Sequence, residues 1–162
     1  MLGNLLGVLL QLAGEAPIVF VGYGITAPED KYDDYAGVDV KGKIVLVLRH
    51  EPQQEDSTSV FNGTRATRYS EFRTKARVAE EHGAAGIIVV TDPLSRDAEY
   101  DDLIAFGKGQ GISAAVALPA IHVKRKVLDE LWGAGLPTPP PDLKLAQKEI
   151  DATLKSQSFA VT

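Results

Sequence analysis

The sequence predicts an α/β fold, and two short apolar runs joined through an amphipathic helix carry that prediction. Residues 44–48 and 86–91 are runs of branched apolar residues, which are typical of strands buried on both faces of a sheet. Two such strands connected by a helix form a right-handed βαβ unit. We therefore expect a parallel sheet with flanking helices. The apolar stripe of the connecting helix consists of Tyr69, Phe72, Ala76, Ala79 and Gly83, at spacings of three and four.

The chain begins with a Leu-rich, uncharged run that we separate from the domain proper. Residues 1–14 form an apolar extension of uncertain origin, and a single domain is expected over residues 15–162. The run is shorter than the roughly 20 residues that span a bilayer, so no membrane span is expected. It could pack against a neighbouring element, or support an oligomer through its apolar face.

The first strand is expected over residues 16–25, where Gly22 and Gly24 flank Tyr23. Glycines in a strand indicate a bulge or a close backbone approach, and we interpret this stretch as a kinked strand. A dinucleotide site is not supported, because neither a third glycine nor a helix follows.

The helix of the βαβ unit is expected over residues 67–82, and Gly83 ends it, since glycine adopts the left-handed conformation most easily. Its polar side should face solvent. The residues assigned to that side are Glu71, Arg73, Lys75, Arg77, Glu80 and Glu81.

Further strands and helices are expected towards the C-terminus, among them a short helix with the apolar stripe Val127, Leu128, Leu131 and Trp132. Residues 114–123 predict a strand, and Pro119 places it at an edge or a bulge. Residues 143–154 predict an amphipathic helix that Asp142 could cap. Residues 158–162 predict an extended segment that either returns to the sheet or leaves for another domain.

Composition excludes some classes of function. The chain has 162 residues, a formal net charge of −5 and no cysteine. An acidic chain without a basic cluster is not expected to bind nucleic acid. The absence of cysteine excludes disulfides and thiolate metal sites.

The sequence nominates no catalytic centre. The histidines, His50, His82 and His122, do not occur at metal-ligand spacing, and no Gly-x-Ser-x-Gly nucleophile motif is present. The paired carboxylates lie in loops that we expect to be solvated, where nothing raises a carboxyl pKa for acid catalysis. The acidic loops also lack the spacing of a calcium-binding loop. We therefore expect that the chain alone is not an enzyme and holds no cofactor or metal.

Three stretches together resemble the protease-associated (PA) domain, in the variety inserted in bacterial zinc aminopeptidases of the M28 peptidase family. They are residues 19–29 (VFVGYGITAPE), residues 32–48 (YDDYAGVDVKGKIVLVL) and residues 79–93 (AEEHGAAGIIVVTDP). The resemblance implies a swivelling β/β/α fold, with a partly closed sheet and flanking helices. Residues 143–159 resemble the segment that returns the chain to the peptidase domain.

The resemblance also implies a role. In that family the zinc ions are held by the peptidase domain, and no residue of this chain matches their ligand motifs. The resemblance therefore implies that this domain is a non-catalytic lid or exosite of an exported bacterial protein. Its partners would be the host peptidase domain and a peptide or protein substrate. The alternative is a free-standing peptide- or ligand-binding module, since PA-like domains also occur in sorting receptors and other proteases.

Two long irregular segments, the loop around residues 32–35 and the loop of residues 92–111, are the predicted recognition loops, because long loops on a rigid scaffold usually carry recognition. Tyrosines could offer stacking area, and carboxylates could attract a basic substrate. The candidate interaction surface consists of Tyr32, Asp33, Asp34, Tyr35, Arg96, Tyr100 and Asp101.

Overall fold

The computed structural model describes residues 16–96, 98–103, 117–133 and 142–161. The apolar extension predicted over residues 1–14 and the glycine-rich segment 107–111 lie outside these residues. The strands are β1 (Ile18–Val21), β2 (Thr26–Ala27), β3 (Tyr32–Asp33), β4 (Ile44–Leu48), β5 (Gly86–Val90), β6 (Ala120–Val123) and β7 (Ser158–Ala160). The helices are α1 (Phe72–Glu81), α2 (Arg125–Gly133) and α3 (Leu143–Thr153). Two short 3-10 turns occur at Pro28–Asp30 and Arg68–Ser70.

Five strands form one mixed sheet in the order β6-β5-β4-β1-β7, while β2 and β3 pair as a small antiparallel hairpin. Strands β1, β4, β5 and β6 are parallel, and β7 runs antiparallel to β1. The C-terminal segment therefore returns to the sheet, which was one of the two predicted alternatives. Strand β6 lies at an edge, as Pro119 predicted. The predicted fold class is confirmed.

Every position of β4 and β5 is buried, because both faces of the sheet are covered. On one face Val45, Val47, Ile87 and Val89 pack in a core with α1. On the other face the core includes residues from α2 and α3. Those residues are Leu128, Ala146 and Ile150, together with Leu46, Leu48, Ile88 and Val90 of the sheet. None of the helices in the described part of the chain is long and apolar enough to cross a membrane.

The predicted helix over residues 67–82 is wrong at its N-terminal end. Thr67 accepts a hydrogen bond from the Tyr69 backbone N–H and caps a 3-10 turn, and Glu71 is extended with ψ of 133°. The α-helix then begins at Phe72. Because the extended residue changes the helical register, Tyr69 packs in the core on the face opposite Phe72.

The assignment of Lys75 to the solvent side is also wrong. Lys75 is completely buried, whereas Arg73 and Arg77 on the same helix are exposed. Phe72, Lys75 and Ala76 share one face, because residues three and four apart are neighbours on a helix. Packing thus carries an ammonium group into the interior, where it needs partners.

Candidate functional site

The carboxyl ends of the parallel strands meet at one edge of the sheet, where open α/β sheets usually bind ligands. Tyr23 follows β1, His50 follows β4 and Asp92 follows β5. From α1, Lys75 reaches the same edge and donates hydrogen bonds to two of these residues. We call Tyr23, Asp34, His50, Glu51, Lys75 and Asp92 the Lys75 cluster.

The Lys75 ammonium joins two loops at this edge. Its Nζ lies 2.5 Å from the Tyr23 carbonyl oxygen and 2.7 Å from the His50 carbonyl oxygen, and donates to both. Burial lowers the pKa of Lys75 to about 8, although attraction to the carboxylates of Asp92, Asp34 and Glu51 opposes that shift. The side chain is therefore mostly protonated at neutral pH, and it connects the loop after β1 to the loop after β4.

Asp34 organises the turn that follows β1. One carboxylate oxygen accepts hydrogen bonds from the backbone N–H groups of Tyr23 and Ile25, each at 3.0 Å, and the other accepts from the Tyr32 hydroxyl at 2.6 Å. Burial raises the pKa of Asp34 to about 6, although these hydrogen bonds and Lys75 act in the opposite direction. Gly22 permits this close approach, since a β-carbon there would lie 2.9 Å from the Asp34 Cγ.

His50 and Asp92 form a histidine–carboxylate pair. The Asp92 carboxylate accepts from the His50 backbone N–H at 3.2 Å and also contacts the ring Nδ1. A carboxylate that orients an imidazole is an arrangement used by general bases, which must also reach a substrate proton. Here the side chains of His50 and Asp92 are only 13% and 1% exposed, so the geometry favours a structural role.

The prediction that the paired carboxylates lie in solvated loops is wrong for three of them. Asp34, Glu51 and Asp92 are all at least 98% buried. Each is held by hydrogen bonds from the chain, as buried carboxylates require. Glu51, for example, accepts from both the backbone N–H and the hydroxyl of Thr67.

Sequence reasoning missed the Lys75 cluster, although one part of the pattern could have indicated it. Lys75 lies three residues after Phe72 and four before Ala79, within the spacing of the buried stripe. A lysine in such a stripe predicts a buried ammonium that requires carbonyl or carboxylate partners. The partners themselves come from distant loops, and no local pattern identifies them.

A groove of about 600 Å³ opens beside the cluster. It lies between the loop of residues 53–57, the turn at Leu94 and Ser95, and one side of α3 at Gln147, Asp151 and Ala152. The Tyr23 hydroxyl donates to Asp151 Oδ1 at 2.9 Å, and this bond connects the groove to the Lys75 cluster. Burial raises the pKa of the Asp151 carboxyl above its ordinary value.

The candidate interaction surface is not one surface. Tyr32, Asp34 and Tyr35 are at least 97% buried and cannot offer area to a partner, so their inclusion was wrong. They are buried because Tyr32 and Asp34 bond to each other and Tyr35 stacks on His82, with ring centroids 4.2 Å apart. Asp33, Arg96 and Tyr100 are exposed, while Asp101 is half-buried and accepts from the Arg125 backbone N–H at 2.8 Å.

The described residues contain no group of three or more His, Cys, Asp or Glu side chains that could hold a metal ion. The buried carboxylates of the Lys75 cluster already accept hydrogen bonds from the chain. The donor set therefore does not fit the zinc ions that the resemblance assigns to a host peptidase domain.

A model of the PA domain family matches residues 14–131, which is most of the chain. The chain belongs to the PA domain family. PA domains are accessory domains, and the five-stranded sheet with flanking helices is the fold expected for this one. The Lys75 cluster and residues 53–57 of the groove lie inside the matched range, whereas α3 follows it.

Comparison with known proteins adds two findings. None of the curated proteins matches this PA domain. Among solved structures, it is similar to an aminopeptidase from Aneurinibacillus sp. strain AM-1, with 23% sequence identity and a TM-score of 0.41. The similarity covers 90% of this chain and 24% of the aminopeptidase, so this chain spans about a quarter of the length of that protein.

Proposed function

We propose that this PA domain is a non-catalytic lid or exosite of a secreted bacterial zinc aminopeptidase of the M28 family, where it shapes access of peptide substrates. The match to the PA domain family over residues 14–131 carries the proposal. The choice of host rests on the sequence, since Gly22-Tyr-Gly24 followed by Ala-Pro resembles the variety inserted in those aminopeptidases.

The geometry at the sheet edge supports a scaffolding role for its ionisable groups. Lys75 holds the loops after β1 and β4 through two carbonyl oxygens, and Asp34 fixes the turn at Tyr23. Groups held in this way position loops rather than exchange protons with a substrate. Rigidly held loops are suited to recognition, because less conformational freedom is lost on binding.

Of the predicted surface residues, Asp33, Arg96 and Tyr100 are exposed, and we retain them as candidates for contact with the host peptidase domain or its substrate. Tyr100 is 66% exposed, so most of its side chain is accessible to a partner. Tyrosine offers contact area at low entropic cost, which is why it is enriched at interfaces.

An activity assay of the isolated chain tests the non-catalytic role. Purified protein with added zinc should release no chromophore from aminoacyl p-nitroanilides. Turnover that co-purifies with the chain and survives a chelator would contradict the proposal.

The coding sequence that flanks this domain tests the choice of host. His-x-Asp and Glu-Glu zinc motifs on either side are expected for the proposed aminopeptidase. Their absence from the complete protein would favour the peptide-binding module of a receptor or of another protease class.

A further inference from the structure

Strand β7 lies at one edge of the five-stranded sheet, and its outer side is open in the described part of the chain. It pairs with β1 on one side and with none of the described strands on the other. Ser158 and Ala160 are exposed, whereas Phe159 between them is half-buried. An open edge carries unpaired backbone groups, and these can pair with a strand from another chain.

The pairing with β1 determines which residues of β7 direct their backbone groups to the open side. The Val161 backbone N–H donates to the Ile18 carbonyl oxygen at 2.8 Å, so Val161 faces β1. The backbone groups of successive residues in a strand alternate in direction. Phe159 therefore also faces β1, while Ser158 and Ala160 face outward. Neither outward residue forms a backbone hydrogen bond on that side with any residue that the structure describes.

The sequence of β7 does not protect this edge from association. It is Ser-Phe-Ala, with neither a charged residue nor a proline, which are the residues that commonly protect an edge strand. The side chains of Ser158 and Ala160 are small and leave room for a neighbouring backbone. Because β7 has only 3 residues, the contact is small, and pairing at this edge should be weak.

The backbone pattern of β7 is complementary to a second copy of itself. When two copies lie antiparallel about a twofold axis at Phe159, Ser158 of each copy is opposite Ala160 of the other. Both residues face outward, so each of these pairs can exchange both backbone hydrogen bonds. Such an interface uses the same surface on both copies, as twofold dimers do.

Phe159 is a second observation, and it favours a copy of this chain over an unrelated strand. Its ring stacks on Phe20 of β1, with ring centroids 4.8 Å apart, but it packs at the margin of the core and stays half-buried. At the twofold axis the two Phe159 residues form a non-hydrogen-bonded pair, whose side chains approach more closely than those of a hydrogen-bonded pair. Each ring then covers the exposed part of the other, and aromatic cross-strand pairs stabilise antiparallel strands.

We propose that this chain forms a twofold dimer in which β7 of one copy pairs antiparallel with β7 of the other and joins the two sheets into one. The dimer is a property of the chain itself and does not depend on the host peptidase proposed above. The association predicted through the apolar residues 1–14 would use a different surface, and the experiments below distinguish the two.

Sedimentation equilibrium of the full chain measures the association. We expect a monomer–dimer equilibrium with a Kd on the order of 0.1–1 mM, because the contact is small. NMR of the 15N-labelled chain then locates the contact. In the monomer the amides of Phe159 and Val161 should be protected from hydrogen exchange, whereas those of Ser158 and Ala160 should exchange rapidly. Raising the protein concentration should shift the resonances of Ser158 and Ala160 and slow their exchange.

Two variants and a matched control examine the backbone pairing. Ala160→Pro removes an outward N–H but none of the hydrogen bonds to β1, and should weaken the dimer at least about tenfold. Ala160→Lys keeps every backbone group and should weaken it at least about fivefold, because the two lysines are diagonal neighbours across the axis and repel each other. Ser158→Ala, the control, changes a side chain at the same edge and should leave the Kd within about twofold.

A chain that stays monomeric at about 1 mM would overturn the proposal and leave this edge to a strand of another protein. A dimer whose formation leaves the amides of Ser158 and Ala160 unchanged would also overturn it, because another surface, such as residues 1–14, would then be the contact. If Ala160→Pro fails to fold, Ala160→Lys decides the question, since it alters only an exposed side chain. A Kd that Ala160→Lys does not change contradicts the pairing.

Discussion

Replacing Lys75 by methionine tests the polar cluster at the sheet edge most sharply. Methionine fills a similar volume but removes the ammonium that donates to the Tyr23 and His50 carbonyl oxygens at 2.5 and 2.7 Å. A buried acceptor that loses its donor costs about 1–3 kcal/mol, and removing one partner from a buried ionic cluster costs about 3–5 kcal/mol. Since these two costs overlap, we expect Lys75→Met to lower the free energy of unfolding by about 3–5 kcal/mol in urea melts.

The matched control for this variant is Arg73→Met, two residues earlier on the same helix. Arg73 is exposed, so its replacement should cost less than about 0.5 kcal/mol. A loss below about 1 kcal/mol for Lys75→Met would show that the ammonium lies in solvent, on the side of the helix to which it was first assigned, and would refute the description of the cluster.

Two other variants, Asp34→Asn and Gly22→Ala, probe the turn after β1, and Gly37→Ala is the control for the second. The pKa of Asp34 is raised from 3.8 to about 6, so the folded chain binds more protons than the unfolded chain in that window and loses stability as pH rises through it. The free energy of unfolding of the wild type, measured relative to that of Asp34→Asn in urea melts, should therefore fall by roughly 1–3 kcal/mol between about pH 4 and 6.5. A difference between the two proteins that does not change with pH would contradict this. Gly22→Ala should cost about 3 kcal/mol or more, because φ is +47° and the new β-carbon would lie 2.9 Å from the Asp34 Cγ. Gly37→Ala, with φ of +73° and no atom within 4 Å, should cost about 1 kcal/mol, and equal losses for the two glycines would exclude the steric explanation.

The central sheet could be predicted because its signal is local. Every position of β4 and β5 is apolar or glycine, a pattern typical of a strand covered on both faces, and every position is buried. The glycines around Tyr23 indicated a bulge or a close backbone approach, and in the structure Gly22 lies directly against the Asp34 side chain. Local patterns of this kind do not depend on which distant segment supplies the contact.

The cluster could not be predicted in the same way, because its burial depends on contacts between distant segments. Asp34 is polar and lies between Asp33 and Tyr35 in an acidic loop, which is typical of a solvated turn. It is buried because Tyr23 and Lys75, 11 and 41 residues away in the sequence, lie beside it in the fold. Glu71 shows the same limit for a helix start, because its extended backbone interrupts an otherwise continuous helical pattern.

Excising the domain from the proposed host peptidase measures the central claim most directly, namely that the domain contributes selectivity rather than bond-breaking. Residues 17–161 would be replaced in that proposed full-length peptidase by a short Gly/Ser bridge, and kcat/KM would be compared between small aminoacyl amides and longer peptides. We expect zinc binding to persist and small-substrate turnover to stay within about tenfold, some 1.4 kcal/mol of barrier, while relative rates among longer peptides change by more than that factor. Collapse of small-substrate turnover, with zinc bound and the fold intact, would show instead that the domain completes the active site.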